Sequence, residues 1–189
     1  MRIVGGRHSG RPIEAPVGTA LRPTADRVRE SVFNILTQGG VKLGGRDWVL
    51  GARVLDAFAG TGALGLEAVS RGAAHVSLMD SDRTAQETCR HNIAALGEQA
   101  SVSVLSGNCL APVRTAEGCS LVLLDPPYNS GNAAPTLVAL ANAGWIDDGA
   151  ICVVELAAKE AFTPPDPAET LDERRYGAAR VVFLRWNAG

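Results

Sequence analysis

Asp125-Pro126-Pro127-Tyr128 follows the apolar run Leu121-Val122-Leu123-Leu124, which reads as a buried strand. A carboxylate, two prolines and an aromatic ring therefore stand at the C-terminal lip of a strand, where open α/β sheets place their chemistry. The carboxylate and a backbone carbonyl accept hydrogen bonds from an amine, the prolines stiffen the turn, and the ring stacks on a flat heterocycle. The combination suits a clamp for a planar group with an exocyclic amine. Taken alone, Pro-Pro after a strand is more often only a rigid turn, so a second motif has to support the reading.

That second motif is Val54-Leu55-Asp56-Ala57-Phe58-Ala59-Gly60-Thr61-Gly62, a short apolar strand ending in a carboxylate and a glycine loop, then a helix from about Ala63 to Ser70. Gly60-Thr61-Gly62-Ala63-Leu64-Gly65 satisfies G-x-G-x-x-G, and Asp80 lies twenty residues after Gly60. Both features fit a dinucleotide fold as well. Asp56 tips the balance towards S-adenosylmethionine, because a carboxylate beside the loop repels a pyrophosphate but binds the ammonium of a methionine moiety, directly or through water. On this reading Asp80 accepts from the ribose hydroxyls with Ser81 beside it. Asn108 bonds the adenine edge with Cys109 next to it, and Phe58 packs by the methionine chain. Each has a plainer alternative: a strand-end carboxylate for Asp80, a turn residue for Asn108, core for Phe58.

The elements that must position these residues alternate along the chain. After an irregular or hairpin-like arm over 1–22, Thr24 is a plausible N-cap, and Val28, Val32, Ile35 and Leu36 fall at helical spacing. Gly39-Gly40 ends that helix. The spacing then predicts strand 53–58, helix 62–71, strand 75–80, helix 82–96, strands 101–106 and 120–125, helix 133–143 and strand 150–156. Such alternation implies an α/β fold with a parallel, doubly wound sheet. Thr170 to Tyr176 and Arg180 to Trp186 form a terminal hairpin around Gly177, its last strand inserted antiparallel. That arrangement would fit a Rossmann-like class I methyltransferase architecture. Two parts are expected: arm and helix over 1–40, and a methyltransferase domain over 41–189.

With 189 residues, 46% of them hydrophobic, the chain can bury a full core. No apolar run approaches the roughly 20 residues of a membrane span and no signal-peptide core is evident, so a cytoplasmic protein is expected, with no membrane partner. Cys89, Cys109, Cys119 and Cys152 form no C-x-x-C pair, and His8, His75 and His91 add no ligand-spaced cluster. No metal is implied, and the thiols read as small buried hydrophobes. The net charge of −2 conceals an asymmetry: Arg2, Arg7, Arg11, Arg22, Arg27 and Arg29 against Glu14, Asp26 and Glu30 leave residues 1–30 at +3 and the remainder at −5. A basic arm on an acidic body suggests phosphate contact along one edge; a solvated terminus is the even-odds alternative.

The residues closely resemble the bacterial 16S ribosomal RNA guanine-N2 methyltransferase family. Arg2-Ile3-Val4-Gly5-Gly6, Gly10-Arg11, Leu21-Arg22-Pro23-Thr24, Asp26 to Glu30, Phe33-Asn34, Asp56 to Arg71 and Asp125 to Tyr128 fall in the family's order, over nearly the whole chain. The resemblance implies methylation of one guanine in 16S ribosomal RNA, within the small subunit or a late assembly intermediate. It also implies arginine contacts to RNA or ribosomal protein, and a chain expected to act as a monomer. Asp125, Pro126, Pro127 and Tyr128 would be the catalytic lip, and Asp56, Phe58, Gly60, Thr61, Gly62, Asp80, Ser81, Asn108 and Cys109 the donor pocket. Asn129-Ser130-Gly131-Asn132 lacks the basic residues expected there for RNA contact. An adenine-N6 methyltransferase is the nearest alternative, followed by a nicotinamide-dependent dehydrogenase and a non-catalytic RNA-binding assembly factor.

Overall fold

The computed structural model describes residues 1–15, 23–38 and 41–188. Its frame is one seven-stranded sheet in the order β3-β2-β1-β4-β5-β7-β6. The strands are β1 (Arg53–Ala57), β2 (His75–Asp80), β3 (Val102–Ser106), β4 (Cys119–Leu124), β5 (Ile146–Ala157), β6 (Ala168–Tyr176) and β7 (Ala179–Trp186). β1 to β5 pair in parallel, and β7 inserts antiparallel between β5 and β6. The helices are α1 (Pro23–Thr37), α2 (Ala63–Ser70), α3 (Arg83–Leu96) and α4 (Ala133–Asn142). The sheet is thus the mostly parallel, doubly wound α/β arrangement with a terminal antiparallel strand.

The strands form where the sequence is apolar on both faces, as parallel strands covered by helices require. Val54, Leu55, Val76, Leu78, Leu121 and Val122 are all fully buried. Two apolar clusters result, one on each side of the sheet. The first joins Leu66, Val69 and Ile93 of α2 and α3 to Val54, Val76 and Leu121, and also takes in Ile3, Val28, Phe33 and Leu36. The second joins Leu137 and Leu140 of α4 to Leu55, Val122, Cys152 and Leu184. The described residues of the N-terminal segment, 1–15 and 23–38, therefore share the core of the sheet domain.

The arm is a short hairpin. Arg2 bridges Pro12, and Ile3 donates to the Arg11 carbonyl at 3.0 Å while accepting from Gly10 at 2.8 Å. Gly6 has φ +75 and sits so close to Ser70 that an added Cβ would overlap the Ser70 carbonyl. α1 begins at Pro23, so Thr24 lies inside the helix rather than capping it. Gly39-Gly40 and Arg22 lie outside the described residues.

β5 is longer than its sequence pattern suggests, starting at Ile146 rather than 150. Asp147-Asp148-Gly149 resembles a turn, yet Ile146 pairs with Cys119 across a register shift, which extends the strand backwards. Among the described residues no helix is long and apolar enough to cross a membrane.

Candidate active site

The chain leaves β1 towards β2 and β3 on one side, then returns to β4 on the other, so β1 and β4 flank the topological switch point. Ala57 pairs with Leu124 across that boundary, and Asp125 N–H reaches the Ala57 carbonyl at 3.5 Å. The glycine loop and the Asp125–Tyr128 lip consequently leave the sheet side by side. Between them lies a cavity of about 230 Å³ lined by Asp56, Phe58, Gly60, Thr61, Asp125 and Glu155, with Met1 and Arg29 from the N-terminal segment.

The loop is shaped by its own backbone. Phe58 holds φ +62, a conformation rare for a bulky side chain, and packs half-buried against the second cluster. Outliers of this kind persist where surrounding structure enforces them, often at functional sites. Gly62 is left-handed at φ +77 and starts α2. Gly65 serves close packing instead: a Cβ there would overlap Leu78 of β2. From α3, the Asn92 amide donates to the Thr61 carbonyl at 3.0 Å and Cys89 Sγ to the Gly60 carbonyl at 3.3 Å.

Asp56 is 1% exposed. Its Oδ2 accepts from Gly65 N–H at 2.8 Å, but its Oδ1 is buried without a partner among the described residues. Burial pushes its carboxyl well above the usual carboxylate range; the Gly65 bond pulls it back, and the charges of Asp125 and Asp80 add to the rise. Asp80 ends β2 and accepts from Gly60 N–H at 2.9 Å through Oδ2 and from Asp82 N–H at 2.9 Å through Oδ1. It ties the glycine loop to the end of β2, with acceptor capacity to spare, since an ionised carboxylate offers about four lone-pair sites. Ser81 is exposed beside it, and Asp82, not Asp80, caps α3.

Asn108 is exposed and its Oδ1 accepts from Leu110 N–H at 2.9 Å, so it builds the turn after β3. Cys109 is buried, its thiol directed at the Met79 carbonyl and pushed up to about 11 by burial. All four cysteines are buried.

At the lip, Pro126 is buried while Asp125, Pro127 and Tyr128 are exposed at the cavity mouth. Asp125 is pushed up to about 8, first by loss of water around the carboxyl and then by the nearby charge of Glu155. Solvent at the mouth tempers that rise. Two glutamates outside any sequence motif fix the lip. Glu155 of β5 accepts from the Tyr128 hydroxyl at 2.7 Å. Glu160 accepts from Asn129 N–H at 2.8 Å, where Asn129 has φ +56, and from Ala157 N–H at 3.2 Å. A glutamate in Val153-Val154-Glu155-Leu156, otherwise apolar, was the available signal for the first.

The arginines divide. Arg2 and Arg27 are exposed, and Arg27 borders a groove along α1 with Glu30, Ser31 and Asn34. Arg11 is exposed too, with Nη2 on the Ala95 carbonyl. Arg7 is half-exposed and paired with Glu98 at 2.7 Å, and His8 meets the same carboxylate. Arg29 differs: it is 4% exposed, donates to the Arg2 carbonyl and to Asp26, and lines the cavity. Unlike the surface arginines expected to meet phosphate, it is turned inward by the core packing of α1. Glu67 of α2, fully buried, accepts from Val4 and Gly5 N–H at 2.8 Å each and pairs with Arg71 at 2.7 Å. Residues 1–15 of the arm are therefore docked, not a loose solvated terminus.

A family model described as conserved hypothetical protein 95 matches residues 1–185. Ribosomal RNA small subunit methyltransferase D of Escherichia coli (strain K12) is 34% identical over 184 residues, 97% of this chain and 87% of that protein. The protein of the same name from Haemophilus influenzae is 30% identical over 181 residues, 94% of this chain and 89% of that one. The solved structure of Escherichia coli yhhF superposes with a TM-score of 0.82 at 33% identity, over 100% of this chain and 99% of that one.

Proposed function

The chain belongs to the ribosomal RNA small subunit methyltransferase D family, and from that premise we propose that it transfers a methyl group from S-adenosylmethionine to the exocyclic N2 amine of one guanine in 16S ribosomal RNA. The observation that carries the reading is the charge pattern of the cavity. Asp56, Asp125 and Glu155 line it with Arg29 as the one basic side chain among its lining residues. Three carboxylates and one guanidinium match a ligand with an ammonium, a sulfonium and a carboxylate. A dinucleotide pyrophosphate would meet acidic walls instead.

S-adenosylmethionine supplies, when bound, an activated methyl whose leaving group is a neutral thioether. Asp56 would hold the ammonium, the backbone of Gly60 to Gly62 lets the ligand approach closely, and Asp80 accepts from the ribose. A guanine amine is a poor nucleophile because its lone pair is delocalised into the ring. Asp125 and the Pro126 carbonyl would accept its two N–H bonds, favouring a pyramidal nitrogen whose lone pair points at the methyl carbon. The N–C bond forms as the S–C bond breaks, the electron pair stays on sulfur, and the proton leaves to Asp125 or through water. Positioning of this kind contributes roughly 7 to 11 kcal/mol of barrier reduction.

Tyr128, held through its hydroxyl by Glu155, is oriented to stack on a base taken out of the RNA, worth about 1–3 kcal/mol. Arg2, Arg11 and Arg27 are the arginines placed to meet phosphate, and the small subunit or a late precursor is the partner we propose. The test is transfer of labelled methyl to small subunits from cells lacking this protein, followed by nucleoside identification. N2-methylguanosine is expected, and Asp125→Ala abolishes transfer while donor affinity stays within a few-fold. Label on a ring atom or a sugar, or normal turnover in the variant, would refute the clamp.

A further inference from the structure

We propose, resting on the S-adenosylmethionine reading, that Arg29 anchors the donor's α-carboxylate and with Asp56 forms a two-point clamp on its amino-acid end. Arg29 lies in α1, outside the glycine loop and the lip, yet it lines the same cavity as Asp56 while only 4% exposed. Its Nη2 is committed twice, to the Arg2 carbonyl at 2.5 Å and to Asp26 Oδ1 at 2.9 Å. Its Nε has no hydrogen bond among the described residues. It is ion-paired with Glu67 Oε2 at 3.5 Å, without a hydrogen bond.

Glu67 is already heavily used. Oε2 accepts from Val4 N–H, and Oε1 from Gly5 N–H and from Arg71 Nε. It balances the Arg29 charge only at a distance, and a guanidinium has five N–H donors to satisfy. Asp56, which lines the same cavity, has its Oδ1 likewise buried and unbonded among the described residues. One residue thus offers a guanidinium N–H without a hydrogen bond and the other a carboxyl oxygen without one, and a bound ammonium would favour the ionised form of Asp56. Leaving such groups unmade costs about 1–3 kcal/mol each, so both are poised for a ligand that supplies the complements. The end of an α-amino acid carries them on one carbon, ammonium for Asp56 and carboxylate for Arg29, and arginine suits a carboxylate better than any other side chain.

The anchor also joins the donor to the arm. Arg29 holds the Arg2 carbonyl, and Glu67 behind it holds Val4 and Gly5, so the group that reads the carboxylate belongs to the network that docks residues 2–5.

The test compares S-adenosylmethionine with its decarboxylated form, which keeps the sulfonium and the ammonium, by calorimetric titration. The unsubstituted protein is expected to bind the decarboxylated ligand about tenfold or more weakly, the size of a lost charge-assisted hydrogen bond. In Arg29→Gln, affinity for S-adenosylmethionine falls to that of the decarboxylated ligand and the preference vanishes; Arg29→Lys keeps part of it. The unsubstituted protein alone decides the matter if the variants do not fold. Equal binding of the two ligands, or a preference that survives in Arg29→Gln, overturns the anchor while leaving the donor reading intact. Binding of neither ligand overturns both.

Discussion

Asp56 is a carboxylate placed where folding alone would not keep it charged. Burial raises its folded pKa, and the flanking Asp125 and Asp80 charges raise it further. A group raised in this direction favours the folded state when protonated. Its contribution is present below the ordinary value of about 3.9 and is lost as pH climbs through the folded value. Asp56→Asn, which retains an oxygen to accept from Gly65, should therefore raise the melting temperature of the ligand-free protein at pH 8, by about 2–4 °C per kcal/mol relieved. It should also weaken S-adenosylmethionine, whose ammonium loses its counter-charge. Thermal scans and titration on the same preparation check both, and an unchanged or lower melting temperature would show that the carboxylate is not a stability cost. At this scale the motif residues were legible because their types are unusual for their places. Glu155 and Glu160 were not, because a lone glutamate does not reveal that a backbone N–H or a tyrosine hydroxyl waits for it across the fold.

At the scale of elements, the arm, α2 and α3 behave as one assembly. Glu67 collects the arm's backbone at Val4 and Gly5, Ser70 Oγ donates to the Gly5 carbonyl at 2.6 Å, and Asn92 both accepts from Glu14 N–H and donates to its carbonyl. Asn92 also bonds Thr61, so the arm and the glycine loop share a support. Glu67→Ala strips the half-buried Arg71 of its carboxylate and leaves two arm N–H groups unbonded, a loss of about 3–5 kcal/mol by analogy with broken buried pairs. Hydrogen exchange should lose protection at Val4 and Gly5 first, while β4 stays protected; retained protection in the arm would mean that Ile3 and Ile13 hold it alone. The helices and strands themselves were legible within a residue or two, because each carries its own apolar period. The start of β5 was not, since Asp147-Asp148-Gly149 is turn-like and only pairing with β4 extends the strand through it.

Across the whole molecule, charge is sorted rather than merely asymmetric. The basic segment at +3 spends part of its charge internally, Arg7 on Glu98 and Arg29 on Asp26 and Glu67, and keeps Arg2, Arg11 and Arg27 at the surface. Glu98 is lowered in pKa: burial would raise it, and the His8 and Arg7 bonds overcome that. Arg27→Gln should weaken binding to small subunits with a salt dependence shallower by about one unit in log K against log salt, and leave donor affinity unchanged. Filter binding across a potassium chloride series measures it, and an unaltered slope would remove Arg27 from the phosphate contacts. The order of strands and helices, the glycine loop and the Asp125–Tyr128 lip follow from the sequence, because periodicity and rare local combinations are written in consecutive residues. Which arginines face outward, which glutamates fasten the arm and lip, and that α1 lends a cation to the cavity between the two loops were decided only by tertiary structure. Those facts rest on hydrogen bonds between residues 27 to 91 positions apart, and no local pattern encodes a partner at that distance.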